Sequence, residues 1–134
     1  SLDVFNDTPL NVIKKVNEAE ALNLFDKNGL HILYFDSDNC EPCRKLEVEL
    51  DNIIKTMNTN IYNVTLNSSN TSDKLYSKLD TKTIFDNEET TYGELLKNHK
   101  LVPTVIIIKD GKMVDGFIGF KEAEDIIKIV EKYK

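Results

Sequence analysis

Leu30-His31-Ile32-Leu33-Tyr34-Phe35, then Cys40-Glu41-Pro42-Cys43, then Arg44-Lys45-Leu46-Glu47-Val48-Glu49-Leu50 decide the fold of this chain. The first run is continuously apolar and bounded by turn residues, as a strand covered on both faces is. In the last run, Leu46 and Leu50 begin a stripe that continues through Ile53, Ile54 and Met57, the signature of an amphipathic helix over about 41–58. Between them lie the only two cysteines of the chain. A C-x-x-C at a strand-to-helix junction reads as a redox pair.

Upstream, residues 1–9 form a loose lead-in ending at Pro9, and residues 11–16 suit a short strand. Asn17 is an N-cap with Glu20 at N3, a capping box that opens a helix to about Lys27. Leu22 and Phe25 supply its apolar face, and Asn28-Gly29 stops it. Downstream, residues 60–66 alternate as a strand and residues 67–73 make a polar loop. Leu75 and Leu79 suggest a short helix, residues 80–91 show no clear period, and residues 93–100 read as helical. The stretch 67–100 has two readings: a mobile, tolerant surface insertion, or a specificity element at the mouth of the site.

Val102-Pro103-Thr104 then leads into Val105-Ile106-Ile107-Ile108. Lys109-Asp110-Gly111-Lys112 is a hairpin turn, and Gly116 and Gly119 point to a bulge or close approach in the returning strand. A last helix carries Ala123, Ile126, Ile127, Val130 and Tyr133 on one face. The order is βαβαβ, an insertion, then ββα, without repeats or a domain linker.

Composition narrows the function. The chain has 134 residues and a formal net charge of −6, which fits one domain and disfavours nucleic acid as a partner. No stretch approaches the roughly 20 apolar residues of a membrane span. Two cysteines cannot staple a scaffold or by themselves hold a structural zinc, and His31 and His99 lie far from them. No metal and no cofactor is called for beyond the redox-active pair. Lysine dominates arginine, with Arg44 the only arginine, and asparagine is abundant. That bias marks an AT-rich coding sequence, plausible for a low-GC bacterium. It makes chance matches of the N-x-S/T sequons at Asn6, Asn63, Asn67 and Asn70. The chain opens on Ser1 and not Met, compatible with a removed export signal or anchor.

These motifs together resemble the thioredoxin superfamily: C-x-x-C at the strand-to-helix junction, the strand and helix before it, Val102-Pro103-Thr104 opening the next strand, and a terminal hairpin followed by a helix. The resemblance implies an α/β thioredoxin fold: a central mixed β-sheet flanked by helices, with a partly helical insertion before the cis-Pro strand, in a single domain over 1–134. The long 67–100 segment resembles the bacteriocin-accessory type of Gram-positive bacteria. That implies a protein secreted or tethered outside the cytoplasm, with a cytoplasmic site as the alternative.

The resemblance also implies a thiol–disulfide oxidoreductase acting on protein or peptide thiols and disulfides, with a recycling redox partner, and a monomer. Pro103 should follow a cis peptide bond, pack against the C-x-x-C, keep metal ions off the thiols, and expose the Val102 backbone to an extended substrate peptide. The runner-up is a thioredoxin-like accessory or binding module for a secreted peptide or a transport partner, with redox turnover secondary.

Chemistry assigns the sulfurs. Cys40, at the helix start where free N–H groups favour a thiolate, is the nucleophile. Cys43, one turn in, is the resolving thiol. Pro42 suits the first turn, which has no intrahelical use for its N–H. Arg44 is either a cation that stabilises thiolate or an ordinary helix-surface residue, whereas Glu41, Asp36 and Asp38 oppose thiolate. Asp36 and Asp38 are expected in a solvated loop, Asn39 in an exposed rim or not, and Tyr34 and Phe35 in the core. The sequence departs from reducing thioredoxins, which carry an acid six positions before the first cysteine and a tryptophan directly before it. Here those positions hold Tyr34 and Asn39, so the direction of electron flow stays open.

Overall fold

Alternation along two neighbouring strands divides the core. In the computed structural model, which describes residues 12–67 and 72–134, β2 (Leu30–Asp36) lies between β3 (Ile61–Thr65) and β6 (Thr104–Lys109). Ile32 and Tyr34 join one buried cluster with Val105 and Ile107 of β6, while Leu33 and Phe35 join another with Ile106 and Ile108. Successive side chains of a strand point to opposite faces, so both faces of this sheet are covered.

The sheet order is β1-β3-β2-β6-β7, with β1 as Ile13–Lys15 and β7 as Lys112–Ile118. β1 and β2 run parallel to β3, whereas β6 is antiparallel to both β2 and β7, so the sheet is mixed as expected. The hairpin between β6 and β7 turns at Asp110 and Gly111, both at positive φ. The irregularity in β7 falls opposite the step from Ile107 to Ile108, and Gly116 is the close approach. A Cβ there would stand 2.8 Å from the Val105 carbonyl oxygen.

One face carries α2 (Glu41–Met57) and α5 (Ala123–Glu131). Leu46, Leu50, Ile53 and Ile54 of α2 are at most 1% exposed. Fully burying side chains of this size stabilises by roughly 1.5–3 kcal/mol each. Asn58 in the left-handed conformation ends α2, where the sequence placed its end. The other face carries α1 (Glu18–Asn23) with the 3₁₀ turn Leu24–Asp26, α3 (Asp73–Ser77) and α4 (Tyr92–His99). The Asn17–Glu20 capping box is formed at 2.8 and 2.9 Å. Ala21 of α1 and Leu24 and Phe25 of the 3₁₀ turn form the buried apolar face, with Leu22 only half-buried.

The expectation of a tolerant surface insertion over 67–100 needs correction. Leu75, Leu79 and Leu96 are fully buried, so α3 and α4 complete the core beside β2 and β6. What stands apart is a hairpin. β4 (Lys82–Phe85) and β5 (Glu88–Thr91) form a separate two-stranded sheet, turned by Asp86 and Asn87 at φ 53° and 66°. Two consecutive residues at positive φ suit the twist of a two-residue hairpin, and Asp and Asn tolerate that conformation. The loop expected over 67–73 lies largely outside the described residues.

Candidate active site

β2 ends at Asp36 and α2 begins at Glu41, so the intervening loop delivers the cysteine pair to one end of the sheet. Cys40 is the N-cap of α2, and its Sγ accepts the Cys43 backbone N–H at 3.2 Å. Cys40 and Cys43 are joined as a disulfide, with Cα atoms 5.2 Å apart. Cys40 keeps 9% of its surface exposed and Cys43 none. Glu41 and Pro42 are exposed in the first turn, where the proline costs no hydrogen bond. Asn39 is exposed at the rim.

The pairing of Phe35 with Thr104 sets Val102 and Pro103 beside the end of β2. The Val102–Pro103 peptide is cis. Val102 packs against the cluster that holds both sulfurs, and the buried Pro103 accepts the Gly119 N–H at 2.8 Å through its carbonyl. Thr104 anchors the turn by donating from Oγ1 to the Leu101 carbonyl at 2.6 Å. Phe120, directly after Gly119, is 48% exposed.

The flanking charges do not sit as the sequence suggested. Asp38 is exposed, but Asp36 is not in a solvated loop: it closes β2 and is 2% exposed. Its Oδ1 accepts from Asn63 Nδ2 at 2.9 Å and Thr65 Oγ1 at 2.7 Å, and its Oδ2 pairs with the Arg44 guanidinium. Asn63 is itself 3% exposed, which removes it as a glycan acceptor. Arg44 also pairs with Glu47 at 3.0 Å and donates to the Ser37 carbonyl at 3.3 Å. Burial opposes the guanidinium charge, but hydrogen bonds to Tyr34 and Asp36 and the charges of Glu47 and Asp36 outweigh it, raising the Arg44 pKa. Arg44 is thus neither an ordinary surface residue nor a free cation beside the sulfurs.

Tyr34 occupies a fully buried core position, as expected, yet it also carries a polar head into this network. Its hydroxyl lies 2.7 Å from Glu47 Oε2 and 3.2 Å from the Cys43 carbonyl oxygen, donating toward both. Burial first, then the bond to Glu47, pushes the phenol well above its ordinary range. Glu47 escaped the sequence reading. Its signal was spacing: four residues after Cys43, it lies on the same face of α2.

His31 and His99 make local contacts elsewhere: the His31 ring meets the Asn28 carbonyl at 3.0 Å, and His99 lies 5.2 Å from the Phe85 ring. Among the described residues no group of three or more His, Cys, Asp or Glu side chains is placed to hold a metal ion.

Residues 19–134, which hold the C-x-x-C disulfide at the start of the long helix and the cis-proline turn, match the family model of a thioredoxin-like domain. The chain belongs to the thioredoxin-like domain family. The thioredoxin of Chlamydia caviae is 25% identical over 119 residues, covering 89% of this chain and 97% of that one. The thioredoxin of Chlamydia trachomatis is 24% identical over 92% of this chain and 97% of that one. Among solved structures, thioredoxin f2 of Chlamydomonas reinhardtii superposes with a TM-score of 0.64 at 16% identity, over 91% of this chain and 96% of that one. A thioredoxin-like domain whose C-x-x-C pair closes as a disulfide supports thiol–disulfide exchange. No helix among the described residues is long and apolar enough to cross a membrane.

Proposed function

We propose that this protein is a thiol–disulfide oxidoreductase that exchanges disulfides with protein substrates, with Cys40 as nucleophile and Cys43 as resolving thiol. The asymmetry of the two sulfurs carries the reading. Cys40 is the partly exposed one, and its sulfur receives a backbone N–H at the positive end of a 17-residue helix. Both features favour a reactive thiolate there. Cys43, without exposed surface, meets only a sulfur already bonded to Cys40. An extended substrate segment lies against the Val102–Pro103 turn, paired through the Val102 main chain.

The same charges favour the reducing direction. Arg44 is occupied by Asp36 and Glu47, while Glu41 and Asp38 are acidic and exposed beside the sulfurs. Exposed acids beside the sulfurs offset part of the thiolate stabilisation that the helix N-terminus gives, and that offset favours the disulfide form of the protein, hence donation of electrons to substrate. A recycling reductant then restores the dithiol.

The test is mixed-disulfide trapping. Reduced Cys43→Ser accumulates a mixed disulfide through Cys40 with a protein substrate whose own disulfide is intact, the other substrate sulfur leaving as thiolate, and Cys40→Ser accumulates none. Turnover by Cys40→Ser at the wild-type rate would falsify the assignment. Equilibration with glutathione should give a potential nearer about −270 mV than about −120 mV.

A second reading, an accessory module that docks a secreted peptide or transport partner, is favoured by the β4–β5 hairpin. Ile84 on it is 67% exposed, and a groove of about 650 Å³ runs from Ile84 and Phe85 to Leu101 and Ile118, beside the Val102–Pro103 turn.

A further inference from the structure

β7 is an edge of the five-stranded sheet, and a groove of about 650 Å³ runs along it. One wall is the β4–β5 hairpin, through Ile84 and Phe85, and the other is α5 and its C-terminal end, through Ile129 and Lys132. Phe117 and Ile118 of β7 lie between them. A strand edge invites pairing with another chain. This one is closed at its middle. The Tyr92 hydroxyl donates to the Gly116 carbonyl at 2.9 Å, and the Gly116 N–H donates to Asp115 Oδ1 at 2.7 Å. Continuous strand addition along β7 is therefore blocked, and an occupant must be held by side chains.

The side chains that this groove leaves unsatisfied are apolar or cationic. Ile84 stands largely in water, and covering a large apolar side chain is favourable. Among the described residues, three charged ones line the groove: Lys121, Lys132 and Asp115. Asp115 is already engaged, because its Oδ1 takes the Gly116 N–H and its Oδ2 the Tyr133 hydroxyl at 2.8 Å. Neither lysine takes part in an ion pair among the described residues. The Lys121 ammonium stands 5.8 Å from the centre of the Phe117 ring, which holds it over the apolar floor. The hairpin acids Asp86, Glu88 and Glu89 line a separate hollow beside His99. A chain of net charge −6 thus carries two unpaired cations in one apolar groove.

We propose that this groove binds an extended segment of the protein substrate that carries apolar side chains and a carboxylate. The inference rests on the oxidoreductase reading for the identity of its occupant, because the groove ends beside the Val102–Pro103 turn. Its inner end is Leu101 and Ile118. Leu101 directly precedes that turn, and Ile118 pairs with Thr104, which directly follows it. The Gly119 N–H donates to the Pro103 carbonyl at 2.8 Å, which fixes the end of β7 against the turn. A substrate segment paired with the Val102 main chain continues from there between the hairpin and α5. Its apolar side chains cover Ile84 and Ile118, and its carboxylate meets Lys121 or Lys132. Charge then sets selectivity, since the net negative charge of the chain disfavours an acidic segment elsewhere on the surface.

The probe is a fluorescein-labelled, cysteine-free peptide in which valine alternates with aspartate, with asparagine and lysine counterparts of the same length. Anisotropy with the oxidised protein reads binding without thiol exchange. The aspartate peptide should bind tightest, and its affinity should weaken as salt rises from about 50 mM to about 300 mM. Lys121→Gln with Lys132→Gln should raise its Kd about fivefold, as for the loss of two exposed ion pairs. Ile84→Ser should weaken all three peptides alike, because an apolar contact is blind to charge. Lys121→Glu with Lys132→Glu should invert the order, so that the lysine peptide binds best, a result no loss of folding can give. With a central cysteine closed as a disulfide to a small aromatic thiol, the aspartate peptide should be reduced at a lower KM than the lysine peptide. Equal affinities or equal KM values for the two, or binding unchanged in the double glutamine variant, overturn the proposal. So does a dimer of the wild type that Ile84→Ser abolishes, which would assign the groove to a second copy of the chain. Binding through these lysines without a Cys43→Ser mixed disulfide would uphold the groove and sink the exchange assignment instead.

Discussion

The Tyr34 hydroxyl and Glu47 Oε2 are 2.7 Å apart, a hydrogen bond that ties the middle of β2 to α2 one turn beyond the resolving cysteine. Tyr34 has no exposed surface, so its hydroxyl is satisfied within the protein, by this bond, the Cys43 carbonyl and the Arg44 guanidinium. A buried phenol beside a carboxylate resists ionisation.

That resistance predicts alkaline lability. Below about pH 10, an ordinary phenol holds its proton in both the folded and unfolded chain, and Tyr34 adds no pH dependence. Above it, the unfolded chain releases the proton while the folded chain, with its raised pKa, retains it. The unfolded state then binds fewer protons, so stability falls as pH rises. Urea midpoints measured from about pH 9 to about pH 11 should decline in the wild type and less steeply in Tyr34→Phe. Tyr76, Tyr92 and Tyr133 are shifted in the same direction, so the slope should be reduced and not abolished. An identical slope in Tyr34→Phe would show that the burial of Tyr34 is not coupled to titration.

Asp36 is the structural counterpart of that pair. Removing its carboxylate strips Asn63 and Thr65 of an acceptor and leaves Arg44 with Glu47 alone. Arg44 is 45% exposed and retains Glu47, and Asn63 retains the Tyr34 carbonyl at 3.1 Å, so what remains is the acceptor lost to buried donors. Asp36→Ala should therefore cost about 1–3 kcal/mol. Asp36→Asn should lose less. Denaturant unfolding at neutral pH measures both, and a loss within about 0.5 kcal/mol would place Asp36 among ordinary surface charges.

The sequence disclosed what periodicity and turn chemistry encode. The α2 stripe, the Asn17–Glu20 box, the Asp110–Gly111 turn and the cysteine pair are local patterns, and each stands where its residues placed it. Asp36 was misjudged because burial of a carboxylate depends on partners far along the chain: Asn63 and Thr65 lie 27 and 29 positions away. Tyr34 read as core and is core, but nothing in an apolar run announces where a hydroxyl will point. The 80–91 hairpin was missed because its turn is Asp86-Asn87, without a glycine, and both strands are largely exposed and polar. Thr83, Ile84, Phe85, Thr90 and Thr91 were the available β signal.

Gly93 tests whether α3 and α4 belong to the core. A Cβ at Gly93 would overlap the Tyr76 carbonyl oxygen and stand 3.2 Å from that of Leu79, so the two helices touch through their backbones. The Gly93 N–H also donates to the Leu79 carbonyl at 2.8 Å. Neither backbone atom can move aside as a flexible side chain would. Gly93→Ala should therefore destabilise by about 1–3 kcal/mol, although alanine is the better helix former. A gain in thermal stability would mean that α4 is free to shift and that the segment is after all a loose addition.

The β4–β5 hairpin should be separable. Its strands pair only with each other, and its base is closed by the Lys82–Thr91 register pair and the Tyr92 N–H to Thr81 carbonyl bond at 3.2 Å. Replacing residues 83–90 by Asn-Gly keeps that base, keeps a two-residue turn, and keeps Thr91, whose Oγ1 accepts the Glu94 N–H at 3.1 Å as the N-cap of α4. What is lost is the contact of Phe85 with His99, the exposed Lys82–Glu89 ion pair, the Thr83–Tyr92 hydrogen bond and the wall of the groove that runs to Leu101 and Ile118. Stability should drop by about 1 kcal/mol or less, as for surface changes away from the core. Reduction of a small aromatic disulfide should continue at the parent rate, because Cys40, Cys43 and the Val102–Pro103 turn are untouched. The outcome that matters is a protein substrate: if its reduction slows while the small disulfide is unaffected, the hairpin contributes to substrate binding. Equal rates on both would make the hairpin a surface ornament and leave the Val102–Pro103 turn as the whole recognition surface.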